Sequence, residues 1–398
     1  MKSNGLSFYH PLAFWFGCCA LIAGVLAHVP MFLMASQNGY RMAGMPMDAT
    51  MLVGMALIPL GLLFATYGLM PRLGQMQNKT NSVVTFHIAD GAGLQREHWK
   101  LVVVLVVALA VDVMKPATLG FVMPGMGHEY EISKQTAAWL ALVALTGTAL
   151  GSVMWGRLAD VFGRRAAILL SALMFMGTAI CGAMPAFGWN LAMCFLMGAS
   201  AGGLLPITFT LMAEMIPTRH RGWLLVTLGG VGTSAGYLLA AGSAALLEPL
   251  FSWRSLWLLG LPTGAIIVFL DRFIPESPRF LVRAGLEGQA RAVLAKFSGV
   301  LDAADASDAQ SHAIEEHHEA GGFWQLIQGP HAVITYGLIA SGIAWGLVNF
   351  GFLLWLPSNL GSMGMDAGAA SRLLARSAML ALPGIVIVTW LYQTWSSI

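Results

Sequence analysis

Ten stretches of the sequence are long and apolar enough to cross a lipid bilayer, and no other feature limits the possible folds as strongly. A helix needs about 20 apolar residues to span the hydrocarbon core. The stretches lie near residues 11–35, 50–70, 99–123, 137–157, 166–184, 190–213, 222–246, 256–274, 332–356 and 370–392. Because no water in the bilayer core can pair with backbone groups, such stretches must be helical. The sequence therefore predicts an all-α integral membrane protein with about ten transmembrane helices.

The composition agrees with a membrane protein and excludes several other classes. Hydrophobic residues make up 57% of the chain and charged residues 10%, against about 25% charged residues in soluble domains. A net charge of +2 provides no basic surface for nucleic acid. The four cysteines lie inside apolar stretches, which is typical of buried thiols rather than of disulfides. No nucleophile–base or metal-ligand pattern occurs, so we expect neither enzyme activity nor a cofactor.

The distribution of basic residues predicts the orientation in the membrane, since cytoplasmic loops carry more Lys and Arg. With a cytoplasmic N-terminus, fifteen of the 21 basic residues fall on the cytoplasmic side, five fall on the other side, and Lys115 lies within a span. The five are Arg41, Lys134, Arg254, Arg372 and Arg376. We therefore expect a multi-pass protein of the cell (inner or plasma) membrane with both termini in the cytoplasm.

The spacing of the spans predicts four regions along the chain. Residues 1–98 hold two spans and a polar link, and residues 99–280 hold a compact block of six spans. Residues 281–331 form an acidic, alanine-rich cytoplasmic linker, and residues 332–398 hold the last two spans. Within the linker, His312, Glu316 and His317 could meet on one helix, but their spacing matches no metal-site motif, so we expect a solvated segment and no metal.

Three polar segments between spans have ordered arrangements of glycine, proline and charged residues that a simple connection does not require. The first is Gly156-Arg157-Leu158-Ala159-Asp160-Val161-Phe162-Gly163-Arg164-Arg165. The others are Ala213-Glu214-Met215-Ile216-Pro217-Thr218-Arg219-His220-Arg221-Gly222 and Pro275-Glu276-Ser277-Pro278-Arg279-Phe280-Leu281. The glycines of the first permit a short connection between two helices, and Asp160 can accept hydrogen bonds from N–H groups at a helix end. An ordinary basic loop is the simpler interpretation.

The first segment resembles the signature loop of the major facilitator superfamily, Gly-x-Leu-x-Asp-x-x-Gly-Arg-Arg/Lys. The other two are similar to loops of its sugar-porter-like members, and all three stand where a six-helix half requires them. The resemblance covers roughly residues 99–392 and indicates the sugar-porter-like or metabolite–proton symporter branch. It implies a major facilitator-type helical bundle that moves a small molecule by alternating access, with two extra N-terminal helices here.

The resemblance also implies roles for the loop residues, because in the family they form a cytoplasmic ion-pair network that breaks when the conformation changes. The gating residues it implies are Gly156, Asp160, Gly163, Arg164, Arg165, Glu214, Arg221, Glu276 and Arg279. Alternatively, some of them only anchor helix ends at the membrane interface.

Three departures from the family pattern narrow the substrate class. Cys194 occupies the position of an Arg in the fourth family helix, and the fifth lacks the proline of the antiporter motif. The seventh lacks the paired glutamines of hexose porters and has Ile339-Ala340-Ser341-Gly342-Ile343-Ala344 instead. These departures disfavour drug–proton antiport and a hexose substrate.

Two ionisable residues, Asp112 and Lys115, lie deep within a span. A charge at the bilayer centre costs roughly 2.5–3.5 kcal/mol on insertion scales, and residues three apart share one helix face and can pair. The pair could only fix helix packing. Alternatively, Asp112 binds a proton or substrate at the central cavity, with Lys115 as its tuning partner or as a contact for an anion. Asn349 and Trp345 of the seventh family helix are further candidates for the cavity.

The sequence thus predicts a secondary transporter of a small organic metabolite, an organic anion, by proton-coupled symport. The alternatives are a hexose-type sugar porter and a truncated membrane protein that does not transport. Family members usually have twelve helices, whereas eight follow the first two spans here. We therefore expect an incomplete second half, and insertion without concentrative transport by this chain alone.

The predicted topology can be tested by cysteine labelling. Cysteines introduced at Ser307, in the linker, and at Asn38, after the first span, should react with an impermeant reagent from opposite sides of the membrane. Labelling of both from one side would reject the arrangement.

Overall fold

The computed structural model describes residues 10–69, 93–298, 327–329 and 332–395. Within these ranges there is no strand, and ten helices are long and apolar enough to span a membrane, as predicted. The spanning helices are α1 (Pro11–Asn38), α2 (Ala49–Leu69), α3 (Arg96–Glu129), α4 (Lys134–Phe162), α5 (Arg164–Ala183), α6 (Phe187–Met215), α7 (Thr218–Phe251) and α8 (Arg254–Phe273), followed, after the short helices α9 (Pro278–Arg283) and α10 (Glu287–Ser298), by α11 (Ala332–Ser362) and α12 (Ala367–Trp395).

The connection between α4 and α5 is much shorter than the sequence suggested. The prediction of a loop over residues 156–165 is wrong, because α4 continues to Phe162 and only Gly163 separates it from Arg164, the first residue of α5. Gly163 has φ +102°, and a Cβ there would lie 2.2 Å from Glu276 Oε2. Only glycine fits this conformation and this close approach.

Close contacts between glycine and backbone hold the six-span block together. A Cβ at Gly198 of α6 would lie 1.9 Å from Ala144 O of α4, and one at Gly151 would lie 2.1 Å from Ala199 O. Small residues let helix backbones approach in this way and gain dispersion contacts. Helix α3 runs through the middle of the block, where Leu105 is fully buried.

The first two spans form a hairpin that packs on α5. Glycines recur every seven residues along both helices, at Gly17 and Gly24 in α1 and at Gly54, Gly61 and Gly68 in α2. A Cβ at Gly61 would lie 2.7 Å from Gly17 O. Buried side chains of the hairpin, including Phe14 and Leu21, join Leu169 and Leu173 of α5 in one hydrophobic cluster. The hairpin is therefore an integral part of the six-span block.

Helices α11 and α12 lie beside the block, with a cavity between them. Helix α12 packs along α7, where Gly230 lies against the side chain of Ile385. In α11, a π-helical stretch over Leu347–Phe352 precedes a 3₁₀ turn over Leu353–Trp355. Gly120 of α3 lies so close to this turn that a Cβ would be 2.5 Å from Leu354 O. Irregular backbone at membrane depth is typical of helices that line a cavity.

The hairpin packing predicts that Gly61→Val destabilises the protein, because the added side chain meets the backbone of α1. Overpacking costs typically about 1–3 kcal/mol, which a lower thermal unfolding temperature in detergent would report. Gly342→Val is the matched control, since nothing lies within 4 Å of a Cβ at that helical glycine. Equal unfolding temperatures for the two variants would contradict the packing.

Candidate functional site

A cavity of about 540 Å³ lies between α3, α4, α6 and α7 on one side and α11 and α12 on the other. Its lining is mainly apolar, with three aromatic rings, Tyr237, Trp345 and Phe350. The polar side chains that line it are Asp112, Thr148, Ser152, Thr233, Ser234, Tyr237, Asn349 and Ser377. Cavities of this size and mixed character are typical sites for small organic molecules.

Asp112 provides the cavity's only carboxylate among the described lining residues, and no Lys, Arg or His lines it there. The residue is 3% exposed. Its Oδ1 atom lies 3.6 Å from Lys115 Nζ and has no hydrogen-bond partner. A buried carboxylate without such a partner is costly in its ionised form. A hydrogen-bond donor placed at Oδ1 would reduce this cost.

Lys115 pairs with Asp112 as the spacing predicted, but it lies away from the cavity lining. Residues three apart on a helix differ by about 60° around the axis, so one can face the cavity while the other points into the protein. Lys115 lies against α5, where its Nζ is 3.7 Å from the centre of the Phe175 ring. Its side chain is fully buried. A ligand in the cavity thus reaches Asp112 but not Lys115.

Both candidates from α11 line the same cavity as Asp112. Asn349 Nδ2 donates a hydrogen bond to Trp345 O at 2.9 Å, which orients the amide. Sequence reasoning missed Tyr237 of α7, which lines the cavity and has a buried hydroxyl without a hydrogen-bond partner. Its place after the glycine-rich stretch 229–236 was the only available signal, because a lone Tyr in an apolar span usually marks packing.

Several predicted gating residues meet at the end of α4, where it joins α5. We call this group the Arg164 cluster, and its members are Asp160, Arg164, Arg165, Glu214, Asp271 and Glu276. Arg164 Nη1 lies 3.1 Å from Asp160 Oδ1, and its Nη2 lies 3.2 Å from Glu214 Oε1. Arg164 Nη1 also donates to Ala159 O at 2.9 Å. The side chain is only 9% exposed, so these partners compensate its charge. One guanidinium thereby joins α4, α5 and α6.

The carboxylate that accepts hydrogen bonds from the first N–H groups of α5 is that of Glu276 and not that of Asp160. Glu276 accepts hydrogen bonds from Arg164 N at 2.7 Å and Arg165 N at 3.2 Å, and from its neighbour Ser277 N at 3.0 Å. The prediction that Asp160 accepts helix-end N–H groups is therefore wrong. Asp160 lies in the last turn of α4, four residues before Arg164, and pairs with that side chain instead. Burial raises the pKa of Glu276 to about 7, although the N–H donors and Arg164 oppose this rise.

The other gating candidates on α4, α5, α7 and α9 have different surroundings. Arg165 forms an ion pair with Asp271 that the sequence did not indicate, with Nε 2.6 Å from Oδ1. Arg221 donates to Ile216 O at 3.3 Å. Gly156 lies inside α4 with open space around it, and Arg279 lies in the first turn of α9. Asp271 was missed because it ends an apolar span, where its partner cannot be read from spacing.

The linker residues His312, Glu316 and His317 lie outside the described residues. Among the described residues, no group of three or more His, Cys, Asp or Glu side chains could hold a metal ion.

The chain is similar to known membrane transporters in both sequence and fold. A sequence model of the family described as "Sugar (and other) transporter" matches residues 81–355. The chain is 27% identical over 300 residues to the niacin transporter NiaP of Acinetobacter baylyi, covering 74% of this chain and 67% of NiaP. It is 32% identical over 200 residues to the 4-hydroxybenzoate transporter PcaK of the same bacterium, covering 50% of this chain and 44% of PcaK. The chain thus spans about two thirds of one relative and less than half of the other.

The fold is similar to that of the xylose transporter XylE from E. coli, with a TM-score of 0.60 and 16% identity over 76% of this chain and 72% of XylE. This similarity confirms the predicted membrane bundle.

The Arg164 cluster predicts a pH dependence of stability. Because the folded protein holds the Glu276 proton more tightly than the unfolded chain, the contribution of this group to the free energy of unfolding falls as pH rises from 4.5 to about 7. Glu276→Gln should flatten this part of the pH profile of the unfolding temperature. Glu287→Gln, at an accessible carboxylate, should leave the profile unchanged. An unaltered slope in Glu276→Gln would rule out the assignment.

Proposed function

Because this chain belongs to the sugar (and other) transporter family of the major facilitator superfamily, we propose that it carries a small aromatic carboxylic acid together with a proton. Members of the family are membrane transporters and not enzymes. Alternating access would move the α11–α12 side against the six-span block around the central cavity.

The observation that carries the proposal is the lone carboxylate of Asp112 in a cavity whose described lining has no cation. An ionised Asp112 repels a second carboxylate. A protonated Asp112 removes the repulsion and provides an O–H donor for the anion. Proton and anion therefore bind more tightly together than either does alone, and this reciprocal coupling is what symport requires.

The other cavity-lining residues and the similar transporters support the proposal that the substrate is aromatic. Tyr237, Trp345 and Phe350 provide ring faces and edges for an aromatic ring. The hydroxyl of Tyr237 and the amide of Asn349 provide polar groups that can fix its orientation. The two relatives described above are transporters of niacin and of 4-hydroxybenzoate.

We assign the gating role to the Arg164 cluster. Its charges lie outside the cavity lining and connect the ends of four helices, α4, α5, α6 and α8, through Arg164, Arg165 and Glu276. A network of this kind stabilises one conformation and must rearrange in the other, so its loss should change the balance of conformations more than the binding site.

Lys115 acts in this account as the tuning partner of Asp112. Its ammonium faces Asp112 from the protein side and favours the ionised carboxylate. An anion contact is disfavoured, because Lys115 does not line the cavity.

Binding to the purified full chain tests the proposal without requiring transport. We expect 4-hydroxybenzoate and nicotinate to bind more tightly in acid, with affinity falling about tenfold per pH unit once Asp112 ionises. Asp112→Asn should bind with little pH dependence, whereas Asp48→Asn, in the α1–α2 loop, should behave as wild type. Binding of D-xylose but of neither acid would favour a sugar porter and overturn the proposal.

The role of Lys115 gives a separate expectation. Lys115→Met keeps the apolar stem and removes the charge, so the fall in affinity should begin at higher pH than in the wild type. The same binding titration measures this shift. Complete loss of acid binding in a folded Lys115→Met protein would instead indicate a direct anion contact.

A further inference from the structure

Helix α3 is weakened by prolines in its outer part, by which we mean residues 116–129, the half of the helix away from the Arg164 cluster. Pro116 and Pro124 both lie inside the helix, and each lacks the N–H that would bond the preceding turn. Between them, Gly120 approaches Leu354 O of α11 so closely that no Cβ fits, and we call this contact the outer closure. A segment that forms such a contact while lacking two helical hydrogen bonds gains most from support elsewhere.

That support comes from Glu129, the last residue of α3. Its carboxylate is 6% exposed and pairs with Arg254 of α8, whose Nη2 lies 2.7 Å from Oε1. Trp253 Nε1 donates to Oε2 at 3.0 Å. The same carboxylate accepts two backbone hydrogen bonds from the α1–α2 loop, from Met42 N at 2.7 Å and Ala43 N at 3.1 Å. One buried group thus joins α3, α8 and the N-terminal hairpin.

The α1–α2 loop has a second attachment to the block. Gly44 N donates to Pro185 O, in the connection between α5 and α6, at 3.0 Å. Gly44 has φ +76°, which only glycine adopts without strain. Together with the apolar contact between the hairpin and α5, these bonds fix the hairpin to the block at three places. The hairpin can therefore hold the end of α3 in position.

We propose that the two N-terminal spans hold the outer part of α3 in place through Glu129, so that Gly120 remains the fixed side of the outer closure. Glu129 is then a positioning residue, since it lies outside the cavity lining. The role as a closure rests on the proposed alternating access, but the geometry can be measured without transport or ligand.

Distances between spin labels on the full chain in lipid nanodiscs test the proposal, in a Cys19→Ser background because Cys19 is exposed. Labels at Gln135 and Met363, exposed residues on opposite sides of the closure, report its state. Labels at Gln135 and Gly188 report the packing of the six-span block alone.

Two variants release the loop in different ways. Glu129→Ala removes the carboxylate that pairs with Arg254 and accepts the N–H groups of Met42 and Ala43. Gly44→Val strains the second attachment while leaving the buried ion pair intact. Asp48→Asn is the matched control, because its carboxylate bonds only locally, to Met51 N.

We expect both variants to add a Gln135–Met363 population about one helical turn longer than the single wild-type distance, with the Gln135–Gly188 distance unchanged. Asp48→Asn should match the wild type. Wild-type distances in a folded Gly44→Val protein would overturn the proposal. Broadening of Gln135–Gly188 in Gly44→Val would also contradict it, since the hairpin would then support the whole block rather than the closure. A failure of acid binding at Asp112 would leave these distances unaffected, so the two proposals fail separately.

Discussion

The ion pair of Asp112 and Lys115 in the middle of α3 is the interaction around which this protein is organised. Each charge alone would cost roughly 2.5–3.5 kcal/mol at the bilayer centre on insertion scales. The pair compensates only part of this cost, because the two charges stand 3.6 Å apart without a hydrogen bond. Asp112 faces the cavity and Lys115 faces the protein. One partner thus lines the cavity while the other pairs with it from the protein side.

The two ends of the six-span block are fixed by related means, with a buried carboxylate that accepts backbone N–H groups at each. Glu276 receives the first N–H groups of α5, next to Arg164. Glu129 receives the N–H groups of the hairpin loop, next to Arg254. Breaking the buried ion pair of Glu129 with Arg254 would leave a charge uncompensated, at a cost of about 3–5 kcal/mol. In the conformation described, each carboxylate therefore holds helix ends of the block together.

Much of the fold could be predicted, because the thickness of the bilayer fixes how long an apolar stretch must be to form a spanning helix, so such stretches can be counted in the sequence. The family prediction is confirmed by the match over residues 81–355. The pairing of Asp112 with Lys115 followed from helical spacing alone. Apart from the adjacent Ser277, the hydrogen-bond partners of Glu276 and Glu129 could not be predicted, because they lie between 86 and 125 residues away along the chain. The role of Asp160 was mistaken because a carboxylate near a helix start can bond either the N–H groups or a nearby guanidinium, and sequence does not distinguish them. Tyr237 was missed because an aromatic ring in a span usually packs.

The central claim is that ligand and proton bind together at Asp112, and counting protons tests it most directly. Calorimetric titration of the full chain with 4-hydroxybenzoate, in two buffers of different ionisation enthalpy at one near-neutral pH, gives the number of protons taken up per ligand. The account predicts uptake of up to about one proton, with none in Asp112→Asn. Binding without proton uptake in the wild type, or the same uptake in Asp112→Asn, would contradict it.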